Sequence, residues 1–169
     1  SLLIANYNVA NLFSSSGSIN KAIPVYQKII STTKEDDNNK DVKLVRARAL
    51  FDLSNALTKC KDYEGATNCC NEIIDTYSSD PDCNVYVAFS YFSIAFSLDE
   101  MDRKDESINA YSNLINKFTT SDDFEIKRLI VMAYYNRGIL MKEKGNISEE
   151  ILENYDSLFE NYCCNGDLT

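Results

Sequence analysis

The side chains of this chain best suited to chemistry are its thiols and its paired carboxylates. The thiols are Cys60, Cys69, Cys70, Cys83, Cys163 and Cys164. A zinc site needs thiolates at ligand spacing, typically a CxxC pair joined by further Cys or His. No CxxC occurs, and the sequence contains no histidine. Reduced thiols in an intracellular protein are the expectation from redox compartment, with surface disulfides left open by the even count. The carboxylates of Asp36 and Asp37, Asp122 and Asp123, and Glu149 and Glu150 could in principle share acid and base roles. They sit in turns and helix starts, however, where the helix dipole favours acidic residues without any catalytic purpose. With no histidine the commonest general base is missing, and no turn has the pattern of a phosphate loop or a calcium loop. We expect no catalysis, no metal and no cofactor.

Charge narrows the partners. A net charge of −9 opposes binding to phosphate-rich nucleic acid, which rests on Lys and Arg neutralising phosphates, and to anionic membrane surfaces. A protein or peptide partner remains. The composition, 44% hydrophobic and 25% charged with five Gly and two Pro, is that of an ordinary soluble, mostly helical domain. Cytoplasmic placement is expected, although a first residue of Ser leaves any targeting segment open.

The elements that position these residues are organised around Val85 to Leu98, the most apolar stretch. At helical spacing Phe89, Phe92 and Phe96 form one stripe, Tyr91, Ile94 and Leu98 with Ala88 and Ala95 a second, and Ser90, Ser93 and Ser97 a third. A helix apolar over more than half its circumference needs neighbours on several sides. It is too short and too rich in serine to span a bilayer, which takes about 20 apolar residues.

Aligning this helix with the rest of the chain reveals an internal repeat. Tyr7, Phe51, Phe92 and Tyr135 recur at spacings of 44, 41 and 43 residues. Each is followed three residues later by a small side chain, at Ala10, Ser54, Ala95 and Gly138. After a turn a second small residue follows at Ala22, Ala66 and Ser107, and four residues on comes Tyr26, Cys70 or Tyr111. Each unit is therefore predicted to be a helical hairpin. Gly17 and Gly145 are the expected stops of two first helices, Asp62 caps a returning helix, and Asp122 with Glu125 forms a reciprocal cap. Val42 opens the second unit after the polar stretch 31–41. Pro24 requires its helix to begin at Asn20 or to bend. The last returning segment carries Ile151, Tyr155, Leu158, Phe159 and Tyr162 at the spacing of Ala66, Cys70, Ile73, Ile74 and Tyr77 only if one residue is inserted in the turn 145–148.

Small residues at helix crossings, with an aromatic four residues after the second, resemble the tetratricopeptide repeat. Tyr91, Ile94, Ala95, Leu98, Ser107 and Tyr111 carry the likeness best, followed by Tyr134, Gly138 and Met141. The chain departs from the family in lacking Trp, in lacking a proline at the close of each unit, and in a period 7 to 10 residues longer than 34. The resemblance implies an all-α fold, a right-handed α-solenoid of about four antiparallel hairpins in one domain, residues 1–169. Its repeats would fall at about 1–33, 42–78, 81–119 and 122–163. A bundle of long helices is the competing fold, and it leaves the recurring small residues unexplained.

In such solenoids the first helices of successive hairpins line a concave groove that takes a peptide or a helix. By alignment the groove-facing residues are Ile4, Tyr7 and Asn11, then Arg48, Phe51 and Asn55, then Phe89, Phe92 and Phe96, then Met132, Tyr135 and Ile139. Aromatic stripes at helical spacing are more often core, and on the sequence alone both assignments stay open. The carboxylate clamp of the family's co-chaperone members is not supported, because Tyr7 stands where its first lysine belongs. The expected function is a non-catalytic scaffold for protein–protein interaction that binds a peptide or amphipathic helix in the groove. The alternatives are a structural segment of a longer solenoid and a peptide-sensing regulatory domain. The chain is expected to be a piece of a longer array or to self-associate through exposed terminal hairpins, because its first helix looks cut short.

Overall fold

The structure, a computed structural model, describes residues 2–34 and 39–145 together with Glu153, Tyr155 and Asp156. Among the described residues there are seven α-helices and no strand: α1 (Leu2–Ser15), α2 (Ile19–Thr32), α3 (Lys40–Lys59), α4 (Tyr63–Tyr77), α5 (Asn84–Glu100), α6 (Lys104–Phe118) and α7 (Phe124–Glu143). A short 3-10 turn at Pro81–Cys83 precedes α5. Each helix packs on the one before and the one after, and the successive first helices α1, α3, α5 and α7 also touch in order. Nearest-neighbour packing of this kind makes a solenoid, in which no unit can bury its apolar faces alone. No described helix is long and apolar enough to cross a membrane.

The four turns after the first helices share one backbone device. Gly17, Lys61, Asp102 and Gly145 all adopt positive φ, at 79°, 61°, 58° and 77°, and they recur at the repeat spacing. The amide of the next residue then reaches back to the first helix, as Ser18 N to Phe13 O at 2.8 Å, Asp62 N to Leu57 O at 2.9 Å and Arg103 N to Leu98 O at 2.8 Å. These bonds satisfy carbonyls that the helix end leaves without partners. The sequence signalled the device at the two glycines; the left-handed Lys61 and Asp102 carried no such sign.

Helix starts are set by Asn and Asp side chains. Asn39 accepts from the amides of Asp41 and Val42, so α3 begins at Lys40, two residues before the expected Val42. Asp62 accepts from Gly65 N at 2.9 Å as expected. The start of α7 corrects the sequence reading. Asp123, not Asp122, caps it, accepting from Ile126 N at 3.1 Å, while Glu125 is taken by Arg128. Only Asp123 occupies the extended cap position from which a carboxylate meets the third amide of the helix. Asp122 is left in solvent, 3.8 Å from Lys127. Pro24 lies inside α2, which starts at Ile19 and continues to Thr32. Proline there forfeits only the bond to the Asn20 carbonyl, one turn into the helix.

The small residues lie at the crossings. Ala10, Ser54 and Ala95 on first helices and Ala22, Ala66 and Ser107 on second helices are all buried. At the fourth crossing Gly138 leaves room for Tyr155, whose hydroxyl would have to shift to admit a Cβ standing 2.7 Å from it. That contact fits the register with one inserted residue, which puts Tyr155 in the place of Tyr26 and Tyr111. The remaining residues of that last returning segment lie outside the described residues. The core falls into two clusters. One joins α3 to α7 around α5, and the other joins α1, α2 and α3 around Tyr26.

Candidate functional site

First helices turn one stripe to each neighbouring hairpin and one away from the second helices, and the predicted groove residues occupy the latter. None of the twelve is buried. Ile4, Arg48, Phe96, Met132, Tyr135 and Ile139 are exposed, and Tyr7, Asn11, Phe51, Asn55, Phe89 and Phe92 are half-buried. The stripes therefore reach the surface, while Tyr7, Phe51, Phe89 and Phe92 also pack against the core beneath.

Six of them converge. Phe51 and Asn55 of α3, Phe89, Phe92 and Phe96 of α5 and Met132 of α7 line a cleft of about 360 Å³, with Thr58, Ser93, Arg128 and Leu129 completing its wall. The rings are braced against one another. Phe51 packs on Phe89 with centroids 5.2 Å apart, and Phe92 meets Tyr111 edge to face at 5.4 Å. The residue set is three helices wide, and its members Phe96 and Met132 stay 40% and 43% exposed. Tyr135 and Ile139 continue the apolar surface along α7 outside this cleft.

The α1 and α3 end of the groove is polar. The Tyr7 hydroxyl donates to Asp52 Oδ2 at 2.6 Å, and the Tyr26 hydroxyl donates to Asn11 Oδ1 at 2.6 Å. Arg48 Nε donates to the Tyr86 hydroxyl at 2.5 Å, bridging α3 to α5. Burial pushes the Asp52 carboxyl above the usual carboxylate range, against the opposing pull of the Tyr7 bond and the Arg48 charge. Tyr7 is raised far above the ordinary phenol value, mainly by its own burial. It therefore stays a donor at any physiological pH. Asp52 and Tyr86 were not anticipated. The usable signal was local, since Asp52 follows Arg48 by one helical turn and joins the same face.

No group of three or more His, Cys, Asp or Glu among the described residues is arranged to hold a metal. Cys60, Cys69 and Cys70 are free thiols. Cys70 is pushed up to about 11 by burial, and Cys69 to about 12 for the same reason, so neither is a nucleophile at neutral pH.

This geometry can be set beside known proteins. Residues 89–121, which span most of α5 and all of α6, match the family model described as tetratricopeptide repeat. The array is a tetratricopeptide-like solenoid. Its third hairpin, the one whose residues carry the pattern best, is where that match falls. Among solved structures, one of MamA superimposes with a TM-score of 0.64 at 18% identity, covering 91% of this chain and 74% of that one. MamA 41-end from Desulfovibrio magneticus RS-1 gives 0.62 at 14% identity, over 97% and 77% of the two chains. Podosopora anserina putative kinesin light chain nearly identical TPR-like repeats give 0.67 at 10% identity, over 97% and 76%. At such identities the likeness is one of fold. No curated protein sequence matches the chain.

Proposed function

We propose that this tetratricopeptide-like solenoid is a non-catalytic interaction scaffold whose groove binds a peptide or an amphipathic helix of another protein. The observation that carries the reading is the convergence of Phe51, Asn55, Phe89, Phe92, Phe96 and Met132, from three helices, on one open apolar cleft. Apolar anchors spaced along a helix fit such a cleft, and the polar end around Asn11, Arg48 and Tyr86 offers donors and acceptors beside it. Burying one aromatic side chain against a partner contributes ~1.5–3 kcal/mol, so two or three anchors supply a working affinity. Tyr135 and Ile139 extend the docking surface past the cleft.

The test is selection of helical peptides from a displayed library on the intact chain, followed by titration against Phe96→Ser, Met132→Ser and the double variant. Binding that weakens roughly tenfold per substitution, with melting unchanged, supports the groove. Selected peptides that bind the double variant as tightly as the parent place the binding surface elsewhere.

A further inference from the structure

The charges around the cleft run against those of the chain as a whole. Net charge is −9, yet Arg128 of α7 is the only charged side chain among the described residues that line the cleft. Arg48 of α3 stands at the opposite margin, one helical turn before Phe51 on the same face, and is exposed. Its Nε donates to the Tyr86 hydroxyl, beside the Phe51 ring on which Tyr86 and Phe89 both pack. The two terminal nitrogens of Arg48 donate to no described residue. Arg128, with its side chain 54% exposed, donates through Nη2 to Glu125 at 2.7 Å, three residues back on its own helix. An exposed pair of this kind holds weakly, so the guanidinium can exchange it for a carboxylate brought by a partner.

The carboxylates of the same helices do not cancel these charges at the cleft. Asp52, one turn after Arg48, accepts from the Tyr7 hydroxyl of α1. Asp99 and Glu100 stand at the C-terminal end of α5, past Phe96 and outside the cleft lining, and Glu100 accepts from the Tyr63 hydroxyl at 2.9 Å. Two guanidiniums thus flank the rings of Phe89, Phe92 and Phe96, one on each neighbouring first helix.

The spacing of the helices sets the length of chain that reaches both. Packed axes stand about 8–10 Å apart, so α3 and α7 are roughly 16–20 Å apart across α5. A helical segment covers that distance in about 11 to 13 residues, or some three turns.

We propose, taking the groove to be the binding surface, that its occupant is an acidic amphipathic helix of another protein. Its apolar residues seat on Phe92, Phe96 and Met132, and side-chain carboxylates about three turns apart pair with Arg48 and Arg128. The apolar anchors supply affinity, and the guanidiniums, each able to take a carboxylate through two parallel bonds, select the segment and fix its register. A basic segment would set like charges against both arginines, which excludes it.

Selection of displayed helical peptides on the parent chain and, in parallel, on Arg48→Glu with Arg128→Glu tests this. Peptides whose binding is lost on Phe96→Ser with Met132→Ser count as groove-bound, and circular dichroism checks that each variant keeps the parent's helicity. Non-specific capture by a chain of net charge −9 enriches basic peptides, so acidic enrichment reports the two arginines. Groove-bound peptides from the parent should carry Asp or Glu at both flanks of their apolar anchors, and those from the reversed variant Lys or Arg. Replacing both acids of a parent-selected peptide by Gln should weaken its binding roughly tenfold. On Arg48→Gln with Arg128→Gln, which adds no charge of its own, the same replacement should cost less than about twofold. Groove-bound peptides with neutral or basic flanks overturn the proposal, and so does a loss on acid replacement that persists in the Gln variant. Peptides indifferent to Phe96→Ser with Met132→Ser, or the absence of any binder, overturn the groove reading and the acidic occupant with it.

Discussion

Across the third hairpin the hydroxyl of Ser107 donates to the carbonyl oxygen of Ala95 at 2.7 Å, with both residues fully buried. A side chain of one helix reaches the backbone of another only where the axes come close, and the small pair makes that approach possible. Ala95→Leu should therefore destabilise the domain by ~1–3 kcal/mol through overpacking, and Ser107→Leu by a similar amount. Ser107→Ala, which loses one hydrogen bond and no space, should cost only ~1 kcal/mol. Urea unfolding of the three variants checks the order, and equal losses would show that volume is not what the crossing restricts.

The recurring left-handed turn residue makes a second prediction. Lys61 carries a side chain at φ 61°, where an L-residue is disfavoured by ~1–2 kcal/mol relative to glycine, less the extra freedom glycine has when unfolded. Lys61→Gly should raise stability by roughly 0.5–1 kcal/mol on balance. Gly17→Ala should lower it by about 1 kcal/mol through backbone strain alone, since a Cβ at Gly17 meets nothing within 4 Å. Thermal melting separates the opposite signs.

Phe92 and Phe96 share the cleft, but their supports differ. Phe92 packs edge to face on Tyr111, a contact worth ~0.5–1.5 kcal/mol beyond its buried area, whereas Phe96 is 40% exposed. Phe92→Ala should therefore cost measurable stability, about 2 kcal/mol for a half-buried aromatic, while Phe96→Ala should melt like the parent. A Phe96→Ala variant that unfolds as readily as Phe92→Ala would contradict the open groove.

Asp52 carries the pH dependence of the polar end. Its carboxyl is raised in the folded state, chiefly by burial, so the folded chain favours the protonated form. The stability linked to this group is complete below the unfolded carboxylate value near ~3.9, and it is lost as pH rises through the higher folded value. Asn in its place cannot ionise and can still accept from Tyr7. The melting temperature of Asp52→Asn should gain on the parent as pH goes from about 4 to about 7, and a constant gap over that range would rule out a carboxylate burdened by burial.

Much of the fold was legible in the chain. Tyr7, Phe51, Phe92 and Tyr135 mark the register of the four first helices α1, α3, α5 and α7, and the small residues after them mark the crossings, because a helix repeats its faces every 3.6 residues whatever surrounds it. The stripes Phe89, Phe92, Phe96 and Phe51, Asn55 were likewise legible as faces. What periodicity cannot say is whether a face is covered, since covering is supplied by residues far away in sequence. The tertiary structure alone decided that these rings border an open cleft, that Arg46 is buried between Tyr77 and Glu72, and that Asp52 lies behind Tyr7. It also decided Asp123 over Asp122 as the cap and the left-handed turns at Lys61 and Asp102. Those choices turn on the backbone angles of single boundary residues, which the packing of neighbouring hairpins imposes and composition leaves free.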